Sequence, residues 1–528
     1  MSDESDREPS EPDFAGVEAS ESAPRDGAAH ATRRQIRGSS LLLLGRLISL
    51  GTNFLVQVLI VRYLSKGEYG VFAYALSVVN IAVIGVALGT DRAIGRFLPI
   101  YQERGRPDAI LGSLIFVAGT IASLGIAVIV LVVGLQDLVS ESLVNERAGA
   151  LLVILIVLAP VQALDDVLMN GFAVFSSPRA IFFRRYVLNP ALRLAVVGLL
   201  ILGRQDAEFL AIGYVATGII GVGVYGILFV RLLRREGIIP KTGRPHISMP
   251  VREILVFALP LLSTDLIYIL LNSMDVLVLG AVTDAETVAS YRVIQPAAAL
   301  NLIVLQSFTL LFTPAAARLF ARRDDEGLRD LYWQTAAWVA VASFPIFALT
   351  FSLAEPLTVG LFEQRYASSA IFLAIIAVGR YFDAALGFNG MTVRVYGNVK
   401  AIVAVNLVAA AVNIVLLLTL IPALGALGAA LATGITLVLF NVLKQYALYR
   451  VVGIAPFDRR YVAVYGTIVA SAIALLLVQL VVEPPLWAGL VMVAASSTVV
   501  LVVGRSHLRL AETFPELARL PILRRLIR

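Results

Sequence analysis

Long runs of apolar residues are the feature that most limits what this chain can fold into. They recur between positions 39 and 504 with short polar breaks, and each is close to the ~20 residues that a helix needs to cross a bilayer. The runs are continuous rather than alternating, which is not the pattern of membrane β-strands. The sequence therefore predicts an all-α polytopic membrane protein with about 14 transmembrane helices. The predicted spans are 39–62, 69–91, 110–134, 149–170, 181–202, 209–230, 253–280, 287–313, 332–353, 368–390, 401–421, 424–447, 461–482 and 486–504.

The composition argues against a catalyst. Hydrophobic residues make up 59% of the chain and charged residues 15%, whereas soluble domains carry about 25% charged residues. The chain has no Cys, and its three His residues (His30, His246 and His507) lie outside the apolar runs. This leaves little for a metal cluster or a histidine-based triad. We therefore expect no enzymatic activity, no metal, no cofactor and no nucleic-acid partner.

The distribution of charge predicts the orientation in the membrane. Residues 1–38 are polar, with nine carboxylates in the first 26 positions, and are typical of a disordered tail. Arg33, Arg34 and Arg37 then precede the first apolar run, which places the N-terminus in the cytoplasm. On that topology, 32 Lys and Arg residues lie on the cytoplasmic side near the membrane and 5 lie in outer loops. We therefore expect a multi-pass protein of the cell membrane with both termini cytoplasmic.

A weak internal repeat divides the predicted helices into two units. A shift of 219 residues lays the first two helices on the seventh and eighth, with Asn53 on Asn272 and Arg46 on Asp265. The first and seventh helices each carry polar residues at helical spacing, and the copies have the same topology, as in some transporters. The predicted parts are a tail (1–38), an N-lobe of six helices (39–235), a basic linker (236–250), a C-lobe of six helices (251–450), two further helices (451–504) and a basic C-tail (505–528).

Several arginines lie within the apolar runs, where a charge costs at least ~2.5–3.5 kcal/mol unless it faces a cavity or a partner. Arg46, Arg193 and Arg292 are predicted to line a shared polar cavity. The planar fork of a guanidinium suits phosphate, so we expect these three to bind an anionic substrate. The polar residues expected to line the same cavity are Asn53, Gln57, Asn272 and Gln295.

Two carboxylates of the seventh helix, Asp265 and Asp275, are candidates for ion or proton coupling, because the equivalent face of the first helix has none. The alternative is that they pair with Arg46 or Arg292 across the lobes. Other intramembrane charges have simpler interpretations. These are a mutual neutralisation of Arg380 and Asp383, and contact of Arg184 and Arg185 with lipid headgroups.

Two segments resemble a known family. Residues 61–75 contain R-x-L-x-x-x-x-Y-G-x-F, from Arg62 to Phe72, and residues 421–433 read I-P-x-x-G-x-x-G-A-A-x-A-T. These patterns, together with Arg96-Phe97-Leu98-Pro99, resemble polysaccharide and O-antigen flippases. That family is part of the multidrug/oligosaccharidyl-lipid/polysaccharide exporter superfamily.

The resemblance implies two six-helix lobes around a central cavity, with two extra C-terminal helices. It also implies translocation of a polyprenyl-(pyro)phosphate-linked oligosaccharide from the cytoplasmic to the outer leaflet by alternating access, for surface polysaccharide or glycan biosynthesis. The partners would be that lipid-linked saccharide, membrane lipids and polysaccharide-assembly proteins. Two alternatives stay open: a cation-coupled multidrug exporter of the same superfamily and, more remotely, a membrane-embedded polymerase or ligase.

Overall fold

The computed structural model describes residues 45–46, 48–134, 146–175, 182–240 and 246–508, and these residues fold into helices without a strand. The predicted tail 1–38 and the C-tail beyond residue 508 lie outside the described residues. The prediction of an all-α chain is confirmed for the part described.

The N-lobe helices follow the predicted apolar runs, with breaks that hydropathy did not locate. They are α1 (Ile48–Tyr63), α2 (Lys66–Ala87), α3 (Thr90–Glu103), α4 (Pro107–Gly134), α5 (Glu146–Leu155), α6 (Leu158–Val174), a π-helical segment (Phe182–Leu188) that continues into α7 (Asn189–Leu202), and α8 (Ala207–Arg235).

The second half of the chain is more often interrupted. Its helices are α9 (Val251–Asn272), α10 (Met274–Val282), α11 (Ala285–Arg292), α12 (Gln295–Ala299), α13 (Ile303–Ala321), α14 (Asp325–Phe351), α15 (Ala354–Phe362), α16 (Ala370–Ala385), α17 (Asn389–Val395), α18 (Val399–Leu424), α19 (Ala426–Val452), α20 (Val462–Val482) and α21 (Leu486–Leu508). Short 3-10 turns stand at Leu300–Leu302, Gln364–Ser369 and Arg459–Tyr461.

Within the described residues, 12 helices are long and apolar enough to cross a membrane. They correspond to every predicted span except the first and the seventh. The first is described as the shorter helix α1, and the seventh is divided at Ser273 into α9 and α10. The multi-pass helical character is therefore confirmed, whereas the count of 14 transmembrane helices stays a prediction.

Helix α2 begins at a capping box inside the first family-like segment. The Ser65 hydroxyl accepts a bond from the Glu68 N–H at 3.2 Å, and the Glu68 carboxylate accepts one from the Ser65 N–H at 2.9 Å. This satisfies two of the N–H groups that a helix leaves without partners at its start. The turn between α1 and α2 is thereby fixed by its own sequence.

The predicted second helix breaks after α2 because the backbone enters the left-handed region. Leu88 has φ 47° and Gly89 has φ 67°. A Cβ on Gly89 would lie 2.9 Å from the carbonyl oxygen of Ala258, so α9 approaches this turn closely. Glycine therefore meets both the conformational and the spatial demand at this position.

The two lobes touch at the Tyr101 end, which is the end of the bundle where α3 finishes. The Tyr101 hydroxyl donates to Glu253 at 2.8 Å, and the Phe97 ring packs edge-on against Phe257. Burial raises the pKa of Tyr101 to about 12, so the hydroxyl remains a donor at neutral pH.

At the opposite end, called here the Arg62 end, two arginines exchange hydrogen bonds between the lobes. Arg62 donates to the carbonyl oxygens of Gly360 at 2.6 Å and Leu361 at 2.9 Å. Arg365 donates in return to the carbonyl oxygens of Val61 at 2.7 Å and Arg62 at 3.0 Å. Each arginine thus binds carbonyls near the end of a helix of the other lobe, where such carbonyls lack helical partners.

Close to this reciprocal arginine contact, α2 and α11 meet backbone to backbone. A Cβ added to Gly70 would lie 1.8 Å from the carbonyl oxygen of Ala285. No side chain fits in that space, so a larger residue requires the lobes to separate. Gly70 belongs to the Y-G pair of the first family-like segment.

We expect Gly70→Ala to separate α2 from α11, because its Cβ would overlap the Ala285 carbonyl. The matched control is Gly85→Ala in the same helix, where a Cβ meets open space. Lys66→Cys and Tyr366→Cys, joined by a bifunctional thiol reagent, report the separation, because the Lys66 ammonium lies 5.9 Å from the Tyr366 ring centre and the chain has no native Cys. The crosslinking yield should fall severalfold with Gly70→Ala and stay unchanged with Gly85→Ala. Equal yields in the two backgrounds would contradict the close approach.

Candidate substrate and ion sites

Arg46 bridges the lobes through an amide. It is half-buried in the first helical segment, and its guanidinium donates to the side-chain oxygen of Gln306 on α13. Among the residues that the structure describes, this charge-assisted bond to a neutral amide leaves the positive charge of Arg46 uncompensated. Arg46 therefore keeps its attraction for an anion.

The polar stripe predicted on the first helix is present and partly satisfied within the N-lobe. Asn53 is exposed and donates to the Ser49 carbonyl at 2.8 Å and to the Ser49 hydroxyl at 3.0 Å. Gln57 is half-buried and donates to the hydroxyl of Tyr69 on α2. The stripe thus joins α1 to the residue that precedes Gly70.

Arg292 ends α11 between the lobes. It is half-buried, and its charge acts on Tyr69 of the N-lobe and on Asp275 of the C-lobe. Of the predicted site residues, Arg292 and Asp275 are therefore brought into electrostatic range of each other. Both interpretations of Asp275, as a coupling residue and as the partner of an arginine, stay predictions.

Asp275 lies in a buried polar group that we call the Asp275 cluster: Asp275, Tyr291 and Thr433. The Asp275 side chain is 7% exposed and accepts bonds from the Tyr291 hydroxyl at 2.5 Å and from the Val276 N–H at 2.8 Å. The Tyr291 and Thr433 hydroxyls are 3.0 Å apart. Three helices, α10, α11 and α19, thus supply oxygen atoms to one buried position, which is the donor type that hard cations prefer.

The remaining predicted residues are placed less completely. Asp265 and Asn272 belong to α9, but their side chains lie outside the described residues. Gln295 begins α12 and is half-buried. A shared cavity for Arg46, Arg193 and Arg292 stays a prediction, because each of the three has a different set of described neighbours.

Arg193 lines a pocket formed by N-lobe residues, called here the N-lobe pocket, between α6, α7 and α8. The cavity volume is about 50 Å³. The Arg193 guanidinium carbon lies 5.1 Å from the centre of the Tyr214 ring, within cation–π range. The polar residues that line the pocket are Gln162, Asp165, Arg184, Asn189, Arg193 and Thr217.

Arg184 lines the same pocket, whereas the sequence analysis expected it to contact lipid headgroups. The structure buries it, 5% exposed, with its Nη2 3.0 Å from the Asp165 carboxylate. Gly221 makes this position available, since a Cβ there would lie 2.4 Å from Nη2. The sequence alone does not show that Gly221 faces Arg184, because this contact depends on how the helices pack.

Asp383 also has a different partner from the one expected. Its carboxylate lies 3.0 Å from the Lys444 ammonium, and both side chains are largely buried. Arg380 acts on Asp383 more weakly than Lys444 does. The reason is geometric: α16 packs against α19, which presents Lys444 directly to the carboxylate.

We expect Lys444→Met to destabilise the protein by about 3–5 kcal/mol, because it leaves a buried carboxylate without its counter-ion. Asp383→Asn combined with Lys444→Met should recover most of that loss. Arg450→Gln, an exposed cation on the same helix, is the control. Unfolding midpoints in detergent would measure the three. A single variant no less stable than the double variant would show that the pair is not buried in the folded protein.

Two family models match the chain. The model described as polysaccharide biosynthesis protein matches residues 36–320, and the MatE model matches residues 260–419. An uncharacterised membrane protein of Methanocaldococcus jannaschii is 21% identical over 425 residues, which cover 76% of this chain and 81% of that protein.

Several solved structures have a similar fold. The lipid II flippase MurJ in an inward closed conformation has a TM-score of 0.67 at 14% identity, and covers 92% of this chain and 100% of its own. An inward-facing multidrug resistance transporter of the MATE family has a TM-score of 0.58 at 14% identity, with 77% and 95% covered. A superfamily transporter of Pyrococcus furiosus, described as having a binding pocket of reverse polarity, has a TM-score of 0.51 at 14% identity, with 80% and 96% covered. At these identities the likeness shows the fold alone.

Proposed function

Because this chain belongs to the polysaccharide biosynthesis protein family, we propose that it moves a polyprenyl-(pyro)phosphate-linked oligosaccharide from the cytoplasmic to the outer leaflet by alternating access. The chain is a multi-pass membrane transporter of the multidrug/oligosaccharidyl-lipid/polysaccharide exporter superfamily, as predicted, and this superfamily transports rather than catalyses. The proposal adds the substrate, the direction and a role in surface polysaccharide or glycan biosynthesis, alongside polysaccharide-assembly proteins.

The observation that carries the proposal is the extent of the fold match to the lipid II flippase. A coverage of 92% is too large to stop at α19, so the match extends into α20 and α21. These helices pack on α14, where the Ser352 hydroxyl donates to the Ala472 carbonyl at 2.9 Å. They also expose apolar side chains such as Leu477 and Val491. A long polyprenyl chain needs an apolar surface of this kind beside the lobe that holds its head.

The charges inside the membrane agree with an anionic head group. Arg46, Arg193 and Arg292 are each half-buried in helices that border the lobes or the N-lobe pocket. None of the three is an ion-pair donor to a carboxylate within the described ranges. We propose that they meet the substrate phosphate, with Asn53, Gln57, Asn272 and Gln295 as polar neighbours.

Single Arg→Ala changes at positions 46, 193 and 292 should abolish complementation of a deletion strain while membrane insertion stays normal. Arg→Lys should rescue partly, because a point charge lacks the fork that binds two phosphate oxygens. Arg322→Ala, at an exposed position beyond α13, is the control and should complement. The readout is lipid-linked glycan accumulated in the strain, which also identifies the sugar. Full complementation by all three Ala variants would remove the arginines from the mechanism.

For ion coupling we propose Asp275, with Asp265 as the second candidate on the same predicted helix. Asp275→Asn keeps the shape of the side chain but removes the charge, so transport into liposomes should lose its dependence on an imposed proton or sodium gradient. Glu286→Gln, an exposed carboxylate on α11, is the matched control and should retain the dependence. If Asp275→Asn retains full gradient dependence, Asp275 is not the coupling residue.

A cation-coupled multidrug exporter is the second candidate. It is favoured by the MatE match over residues 260–419, which contain Asp275, Tyr291 and Arg292. Drug susceptibility of the deletion strain separates the two candidates. Drug sensitivity without accumulated lipid-linked glycan would favour the exporter, and the reverse result would favour the flippase.

A further inference from the structure

We propose that the N-lobe pocket is a binding site for a phosphate group, built by Arg184 and Arg193. The cavity of about 50 Å³ is roughly three to five times the ~10–15 Å³ of cavity that one water needs. A phosphate group therefore has room between α6, α7 and α8. Binding alone is proposed, so the inference holds whether or not the chain moves a lipid-linked saccharide.

The lining of the pocket carries a net positive charge. Its lining contains two guanidinium groups, Arg184 and Arg193, against the single carboxylate of Asp165. The field inside a membrane-embedded cavity is weakly screened, so one excess positive charge attracts an anion strongly.

The two arginines differ in how they are held. Arg184 is fixed: it gives both Nε, at 3.2 Å, and Nη2, at 3.0 Å, to the same oxygen of Asp165. Its Nη1 is buried and has no hydrogen-bond partner among the described residues. Leaving a buried donor without an acceptor is unfavourable, so Arg184 retains capacity to donate a hydrogen bond to an anion.

Arg193 is the less buried of the two arginines. It is half-buried, lines the cavity and rests against the face of the Tyr214 ring, which orients the guanidinium without using its N–H groups. Asn189, one turn earlier in the same helix, lines the same wall and offers an amide. The donors of two guanidinium groups and an amide suit an anion with three or more oxygen acceptors, which is phosphate rather than chloride.

Gly221 supports the assignment because it shapes the pocket without carrying charge. A Cβ at this position would lie 2.4 Å from Nη2 and 2.6 Å from the guanidinium carbon of Arg184. A Cβ on Gly223, two residues later in α8, would have no neighbouring atom within 4 Å. Gly221→Ala would therefore displace Arg184 without changing the charge, and Gly223→Ala is its control in the same helix.

The experiment measures binding to the purified, delipidated full chain in detergent. Two probes carry phosphate: inorganic phosphate and dioctanoyl phosphatidic acid. Dioctanoylglycerol has the same acyl chains without phosphate. Thermal unfolding midpoints follow the ion, and native mass spectrometry follows the lipids. Stabilisation by inorganic phosphate identifies a soluble source, and retention of phosphatidic acid alone identifies a membrane lipid.

Arg193→Gln and Gly221→Ala should each weaken binding of the phosphate-bearing probe by about tenfold or more. The double variant Asp165→Asn with Arg184→Gln tests Arg184 without leaving an unpaired charge, and should do the same. Arg231→Gln and Gly223→Ala should bind as the unmodified chain does, because Arg231 is an exposed cation of α8 and a Cβ on Gly223 has open space. The proposal is overturned if neither phosphate probe binds, if dioctanoylglycerol binds equally well, or if the pocket variants bind as tightly as their controls. Full complementation by the Ala variants of Arg46, Arg193 and Arg292, with phosphate binding by the unmodified chain intact, would count against the proposed function and leave this site standing.

Discussion

The backbone contact between α2 and α11 is the interaction on which the arrangement of the lobes depends. Because Gly70 leaves no side chain there, the Ala285 carbonyl can come within contact distance of the facing helix. That approach sets Tyr69, one residue earlier, beside Gln57 and within the field of Arg292. Arg292 in turn acts on Asp275. One missing methyl group therefore permits a continuous series of polar groups from α1 across the lobe boundary.

The bilayer explains why so many polar side chains have specific partners. Water is absent from the hydrocarbon region, so a charge must be balanced inside the protein or face an aqueous cavity. Asp165 is balanced by Arg184, Asp383 by Lys444, and the Asp275 carboxylate accepts two hydrogen bonds. The arginines proposed to bind substrate differ in this respect, since their described contacts are with an amide, an aromatic ring and longer-range charges. Within the described ranges these three arginines therefore form no ion pair with a carboxylate, which leaves their charge available to an anion.

Hydropathy predicted where the helices run, but not where they break or what they bind. The runs predict helices because apolar length is a local property, whereas the break at Leu88 and Gly89 depends on backbone torsion. Charged residues were identifiable one by one, yet their pairing depends on how helices rotate and pack. Asp383 met Lys444 instead of Arg380, and Arg184 was buried because Gly221 faces it. Thr433 of the Asp275 cluster lies in the second family-like segment, but its contact with Tyr291 depends on the packing of α19 against α11.

The reciprocal arginine contact has a consequence for how this surface can change over evolutionary time. Both donors, Arg62 and Arg365, bind backbone carbonyls rather than side chains. Every residue type carries that acceptor, so the hydrogen bonds themselves make no demand on the side chains at positions 61, 360 and 361. These reciprocal hydrogen bonds therefore depend on two side chains and the shape of two helix ends. Divergent relatives could therefore keep the reciprocal arginine contact while their sequences show little covariation between the two lobes.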